Sequence, residues 1–134
     1  MASNLKYSNG TRDAQQTGLI TYAGSGSIIR LYDGTQPTNA NTAISTQTLI
    51  VSLVVSGSFG TDSNGSITLG TVTNGTAVAS STATFFRIVK SDGTTVVMDG
   101  SVGTSGADMN LNSTVISSGQ LVAITAGTII RGNA

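Results

Sequence analysis

Six carboxylates bound the chemistry open to this chain: its 134 residues contain no His, Cys, Trp or Glu, and every acidic residue is Asp. Without imidazole or thiol there is no conventional zinc ligand set, no Ser-His or Cys-His nucleophile and no disulfide. Paired carboxylates serve glycoside hydrolysis in other proteins, and Asp33, Asp62, Asp92, Asp99 and Asp108 are the available members. Asp33 and Asp92 stand directly before Gly, where an Asp side chain caps its own turn. The Gly-rich stretches lack the following helix and Lys of a phosphate-cradling loop. The expectation is a protein that is not an enzyme, with no catalytic residues, no resident metal and no cofactor.

Two further motifs have simpler readings. Asp108, Asn110 and Asn112 form a D-x-N-x-N run, which on a loop would offer oxygen ligands to calcium. It lacks the Gly and the distal Glu of a calcium loop, so a solvated strand face is expected and a weak cation site is the alternative. Asn-x-Ser/Thr triplets occur at Asn9, Asn64, Asn74 and Asn112. The first three are also Asn-Gly, which tight turns requiring positive φ explain without a glycan.

Composition sets the elements that must carry these residues. Charged residues are 9% of the chain, against an average near 25%, yet the chain is 38% hydrophobic with zero formal net charge, which argues against disorder. Val, Ile and Thr are abundant and favour strands. Six Lys and Arg spread along the sequence cannot build the dense basic face that nucleic acid requires. The longest apolar run, residues 49–55, is far short of the roughly 20 needed to span a bilayer, and no apolar core follows Lys6 and Arg12 to make a signal peptide. Neither nucleic acid nor membrane is expected as a partner, and the chain reads as made and folded in a cytoplasm.

Residues 1–26 are polar and read as an N-terminal arm. Thr11 is placed to cap a short helix through Asp13, Ala14 and Gln15, with Asp13 near the positive end of the dipole. Gly18 weakens that helix, and strand alternation starts at residues 19–22. The arm either carries one turn of helix or docks on a partner subunit.

From residue 27 the pattern has period two with regular Gly, Asn, Asp or Pro breaks, predicting one all-β domain over 27–134, an antiparallel β-sandwich of jelly-roll type. Ile29 and Leu31 face its core while Arg30 points out. Asp33-Gly34 turns the chain into a long polar connection reaching Gln47. Leu49, Val51, Leu53 and Val55 share one face of the best central strand. Ile67 and Leu69 point inward between Asn64-Gly65 and Asn74-Gly75. The clearest hairpin joins residues 82–90 to 94–98 through Ser91-Asp92-Gly93. Residues 107–112 and 121–130 supply the remaining strands, with Gly127 at a bulge or bend, for seven or eight in all. Phe86 and Ile88 belong to the core. Phe85, Arg87 and Val89 lie on the opposite face of the same strand, which is either a subunit interface or buried on both sides.

The ordered set Lys6-Tyr7-Ser8-Asn9-Gly10-Thr11-Arg12, Ile29-Arg30-Leu31-Tyr32-Asp33-Gly34-Thr35-Gln36-Pro37, Ala83-Thr84-Phe85-Phe86-Arg87-Ile88-Val89, residues 99–112 and Thr128-Ile129-Ile130-Arg131-Gly132-Asn133 resembles a family of small tailed-bacteriophage virion structural proteins. The resemblance covers nearly the whole chain and points to the head decoration, or cement, type. It implies a protein on the capsid exterior, made in the bacterial cytoplasm, that binds the major capsid protein, stabilises the shell and forms a homotrimer. It makes Lys6, Tyr7, Arg12 and Asp13 the candidate capsid-docking arm. The family's regular amphipathic helix is expected to be missing here, because residues 13–22 are helix-poor. The alternative function is a tail, neck or fibre component that binds a host surface or glycan.

Overall fold

The computed structural model describes residues 5–124 and the backbone of residues 126–130. It is mostly β with one N-terminal helix. That helix, α1 (Asn9–Ala23), corrects the expected arm in three ways. Its N-cap is Ser8, whose Oγ accepts from the Thr11 N–H at 3.1 Å, so Thr11 is capped and does not cap. No acidic residue sits in the first turn, so Asp13 lies beyond the dipole's positive end. Residues 19–22 continue the helix, which ends at Gly24 (φ 72°), whose N–H reaches the Ile20 carbonyl at 3.1 Å.

Eleven strand segments follow: β1 (Ile28–Tyr32), β2 (Leu49–Ser63), β3 (Ser66–Val72), β4 (Gly75–Thr76), β5 (Ser81–Thr82), β6 (Phe85–Val89), β7 (Val96–Gly103), β8 (Met109–Asn110), β9 (Val115–Ile116), β10 (Leu121–Val122) and β11 (Ala126–Ile130). They do not stack as a jelly-roll sandwich. The main sheet is mixed and strongly curled, its ladder running β1-β2-β3-β11-β8-β7-β6 and back to β1, with β7 and β8 parallel. The short β8 carries the closing contacts. Two small antiparallel pairs, β4 with β10 and β5 with β9, complete the fold.

The curl has a local cause. β2 is the expected central strand, pairing with β1 through its first half and with β3 through its second. Between Ser56 and Gly60 it advances four residues while β3 advances two, from Thr71 to Leu69. Such a bulge bends the strand and raises its twist, so one long strand turns the sheet through a corner and a flat face for sandwich packing is lost. Inside the curl lie Ile29, Leu31, Val51, Leu53, Val55, Phe59, Ile67, Phe86 and Ile88, all fully buried.

Two glycines record how close the backbone approaches are. Asn64 (φ 51°) and Gly65 (φ 80°) form the two-residue turn between β2 and β3, both with the positive φ of a type I′ hairpin. A Cβ on Gly65 would lie 2.6 Å from the Arg12 Nε. On β7, a Cβ on Gly100 would enter the Phe86 ring. Asn74-Gly75 is not such a turn: neither residue has positive φ, and Gly75 instead opens β4. Asn9-Gly10 opens α1.

The expected strand over 121–130 is two, β10 and β11, in different sheets, and Thr125 between them lies outside the described residues. At Gly127 β11 changes partner, from Met109 of β8 to Thr68 of β3 at the next residue. Arg131-Gly132-Asn133 lies outside the described residues.

Candidate functional site: an uncharged end with an apolar row

Two segments, residues 75–83 and 114–122, run antiparallel as an interrupted ribbon beside the curled sheet. Thr76 pairs with Leu121 and Thr82 with Val115. Between those ends, the Ala77 N–H bonds the Gln120 carbonyl and the Gly119 N–H the Ala77 carbonyl, each at 2.8 Å. The Val78 N–H bonds the Ile50 carbonyl of β2, also at 2.8 Å, which fixes the ribbon to the sheet. The two faces then diverge as alternation requires. Ala77, Ile116 and Val122 enter the core, while Val78, Val115 and Leu121 point outward at 70%, 67% and 63% exposure. Single exposed apolar residues are ordinary, and here three large ones lie on one ribbon. An open recess of about 130 Å³ adjoins Leu121, lined also by Leu111, Ile116 and Val122 with Asn112, Ser113 and Gln120.

The ribbon itself has no charged residue. Residues 34–61, 63–86 and 109–130 contain no Asp, Lys or Arg, and the ribbon lies wholly within the last two stretches. The connection over residues 33–48 roots beside it: Asp33 accepts from the Thr48 N–H at 2.6 Å and from the Ser81 hydroxyl of β5 at 2.8 Å. These donors, Thr48 first, hold the Asp33 carboxyl below its ordinary value. Asp33 is the one ionised group these bonds place against the ribbon, whose own residues are all neutral.

Most of the residues singled out from sequence lie off the ribbon and are engaged within the chain. Lys6 is exposed and Tyr7 half-buried. The Arg12 side chain lies over Gly65, and Asp13 accepts the Gly65 N–H at 2.6 Å. Gln16, buried, donates to the Gly65 carbonyl at 2.9 Å, and the Thr17 hydroxyl bonds Asp62. The arm therefore packs as a helix on its own β2–β3 hairpin.

Phe85, Arg87 and Val89 do not form an exposed face: the strand is buried on both sides. Tyr32 stacks on Phe85 with ring centroids 5.3 Å apart. Arg87 meets Asp99 across the β6–β7 pair in a bidentate bridge, Nε to Oδ1 at 2.7 Å and Nη2 to Oδ2 at 2.9 Å. That bond raises the Arg87 pKa. The large hydrophobic side chains exposed among the described residues are Leu5, Tyr22, Val54, Val78, Val115 and Leu121, of which the last three share the ribbon. The sequence did hold a signal for them, apolar residues inside two charge-free stretches, but their outward direction depends on the ribbon pairing.

The carboxylates are dispersed over structural tasks. Asp92 accepts from the Thr95 hydroxyl and from the Thr95 and Thr94 N–H groups, which hold it well below the usual carboxylate range. Asp108 accepts from the Ser101 N–H at 2.9 Å and hydroxyl at 3.1 Å, and Asn110 Oδ1 takes the Ala107 N–H at 3.3 Å. These two residues of the D-x-N-x-N run shape the β7–β8 loop, while Asn112 is exposed. Among the described residues no three His, Cys, Asp or Glu side chains come together, and no helix is long and apolar enough to cross a membrane.

No protein-family model matches the chain, and no curated protein or solved structure is significantly similar to it.

Proposed function

We propose that this chain is a head decoration protein of a tailed bacteriophage, bound to the outer capsid surface through its uncharged ribbon and acting to stabilise the shell. The observation that carries the reading is the outward set Val78, Val115 and Leu121 on a ribbon with no charged residue of its own. The ordered sequence resemblance supplies the class of partner, the major capsid protein. Assembly as a homotrimer is part of the same reading, with the virion exterior as the location.

The physics of such a role is modest per copy and large in sum. Fully burying an exposed Val or Leu gains about 1.5–3 kcal/mol. A trimer whose copies engage several shell subunits multiplies weak contacts through effective concentration. Such a contact is also less sensitive to salt than one built on exposed ion pairs.

The first test is the copy number of this chain relative to the major capsid protein in purified virions, by quantitative mass spectrometry. A ratio near one, or a simple lattice fraction of it, is expected. A handful of copies would favour a tail, neck or fibre role, and absence from the virion would end the proposal. The surface itself is tested by Val78→Ser with Leu121→Ser. The fold should change by no more than about 0.5 kcal/mol for each exposed position, while attachment to shells assembled without the chain should be lost.

A further inference from the structure

We propose that Asn9 is a site of spontaneous deamidation in the folded protein, and that helix α1 shields Asn64, which stands in the same Asn-Gly sequence, from that reaction. The chemistry needs no cofactor. The backbone nitrogen of the following glycine gives up its proton and attacks the Asn side-chain carbonyl carbon. The new C–N bond closes a five-membered succinimide, and the side-chain nitrogen leaves as ammonia with that proton. Water then opens the ring at either carbonyl, to aspartate or to isoaspartate. Glycine favours the attack because no Cβ blocks the approach and its backbone turns freely. The step runs where the glycine N–H is unengaged and the surrounding backbone can rotate.

The three Asn-Gly pairs at Asn9, Asn64 and Asn74 differ in both respects. Asn9 and Gly10 are exposed and are the first two residues of α1, where N–H groups have no partner within the helix. The cap bonds pass over them, Ser8 Oγ taking the Thr11 N–H at 3.1 Å and the Ser8 carbonyl the Arg12 N–H at 2.9 Å. A Cβ on Gly10 would meet nothing within 4 Å, and chain ends of this kind open at little cost. Asn64 is exposed too, but Gly65 is buried. The Gly65 N–H donates to Asp13 Oδ1 at 2.6 Å and its carbonyl accepts from Gln16 at 2.9 Å, both from α1. Gly75 pairs with Val122 in the β4–β10 ladder and lies against β2, where a Cβ would fall 2.5 Å from the Ser52 carbonyl oxygen. Each event at Asn9 adds a carboxylate to a chain of zero formal net charge, at the start of a helix with no acidic residue in its first turn. Aspartate there favours the helix through its dipole, whereas isoaspartate lengthens the backbone by a methylene and undoes the spacing of the Ser8 cap.

The test is peptide mapping by mass spectrometry after the folded protein has stood in mildly alkaline buffer, with a parallel sample in urea. In the folded protein Asn9 is expected to convert at least about tenfold faster than Asn64, whose reaction must break a hydrogen bond to a carboxylate, and faster than Asn74. The three rates should converge in urea. Gly10→Ala should suppress conversion at Asn9 without lowering the thermal midpoint, and Asp13→Ala should raise conversion at Asn64. An intact Asn9 while Asn64 or Asn74 converts, or equal rates in the folded protein, would overturn the proposal. The same ranking in urea would overturn its structural basis. Unchanged protection of Asn64 in Asp13→Ala would overturn the shielding by α1 and leave the assignment of Asn9 standing.

Discussion

The hairpin wall formed by β1, β6 and β7 and the ribbon end solve opposite problems with opposite residues. In the wall, a guanidinium and a carboxylate are buried, with side chains 6% and 4% exposed, between strands also packed with Phe85 and Phe86. The ribbon has no charged residue of its own, yet Val and Leu face water. Charge in this protein is used on internal geometry: Asp33, Asp92 and Asp108 tie backbone N–H groups, and Asp99 neutralises Arg87. The rest of the described surface is mostly hydroxyls, amides and a few apolar side chains, with Lys6, Asp92 and Asp108 among its exposed charges.

The sharpest way to break the wall is Asp99→Ala, which strands Arg87 without its partner. A cost of about 3–5 kcal/mol is expected, read as a lower denaturant midpoint, whereas Val78→Ser at the other end should leave that midpoint nearly in place. Gly100→Ala presses a methyl group into the Phe86 ring and should cost about 1–3 kcal/mol, measurable by chemical denaturation. Ser8→Ala removes the α1 cap and should cost about 1 kcal/mol. The loss should appear as faster amide exchange in α1, with the ribbon unaffected.

Acid acts on both regions with the same sign. Asp33 and Asp92 have pKa values lowered from 3.8 in the folded state. The unfolded chain therefore binds more protons, and their contribution is fully present above about pH 3.8 and lost as pH falls through the folded values. The thermal midpoint should drop only in that acidic window. Asp92→Asn should flatten the drop, and an equally steep profile in this variant would count against the assignment.

The period-two pattern located β1, β2, β3 and the β6–β7 hairpin, because alternation along a strand is local and a core-facing row must be apolar. Asn64-Gly65 also declared its turn, since two consecutive positive φ values restrict residue choice strongly. The same dipeptide at Asn74 misled, because Gly75 is there for space: a Cβ would lie 2.9 Å from Leu53 Cδ2 and 3.0 Å from Val51 Cγ2. Helix α1 was legible only in part. Gly10 and Gly18 give it poor propensity, and what secures it is contact made far along the chain, Gln16 and Asp13 on Gly65, Thr17 on Asp62, and Ala23 in the core.

The sequence by itself determined the chemistry this protein lacks, with no His, Cys, Glu or Trp, and determined its strand-rich character through local alternation. Tertiary structure alone decided which neighbours each face received. Period two shows that Phe85, Arg87 and Val89 share a side and that Val115 and Leu121 are apolar, but exposure depends on which strands lie opposite. The bulge in β2 and the closing contacts of β8 curl the sheet, the β6 strand is covered on both sides, and the ribbon's second face is left outside. Burial is a property of pairs of segments distant in sequence, and no local pattern encodes it.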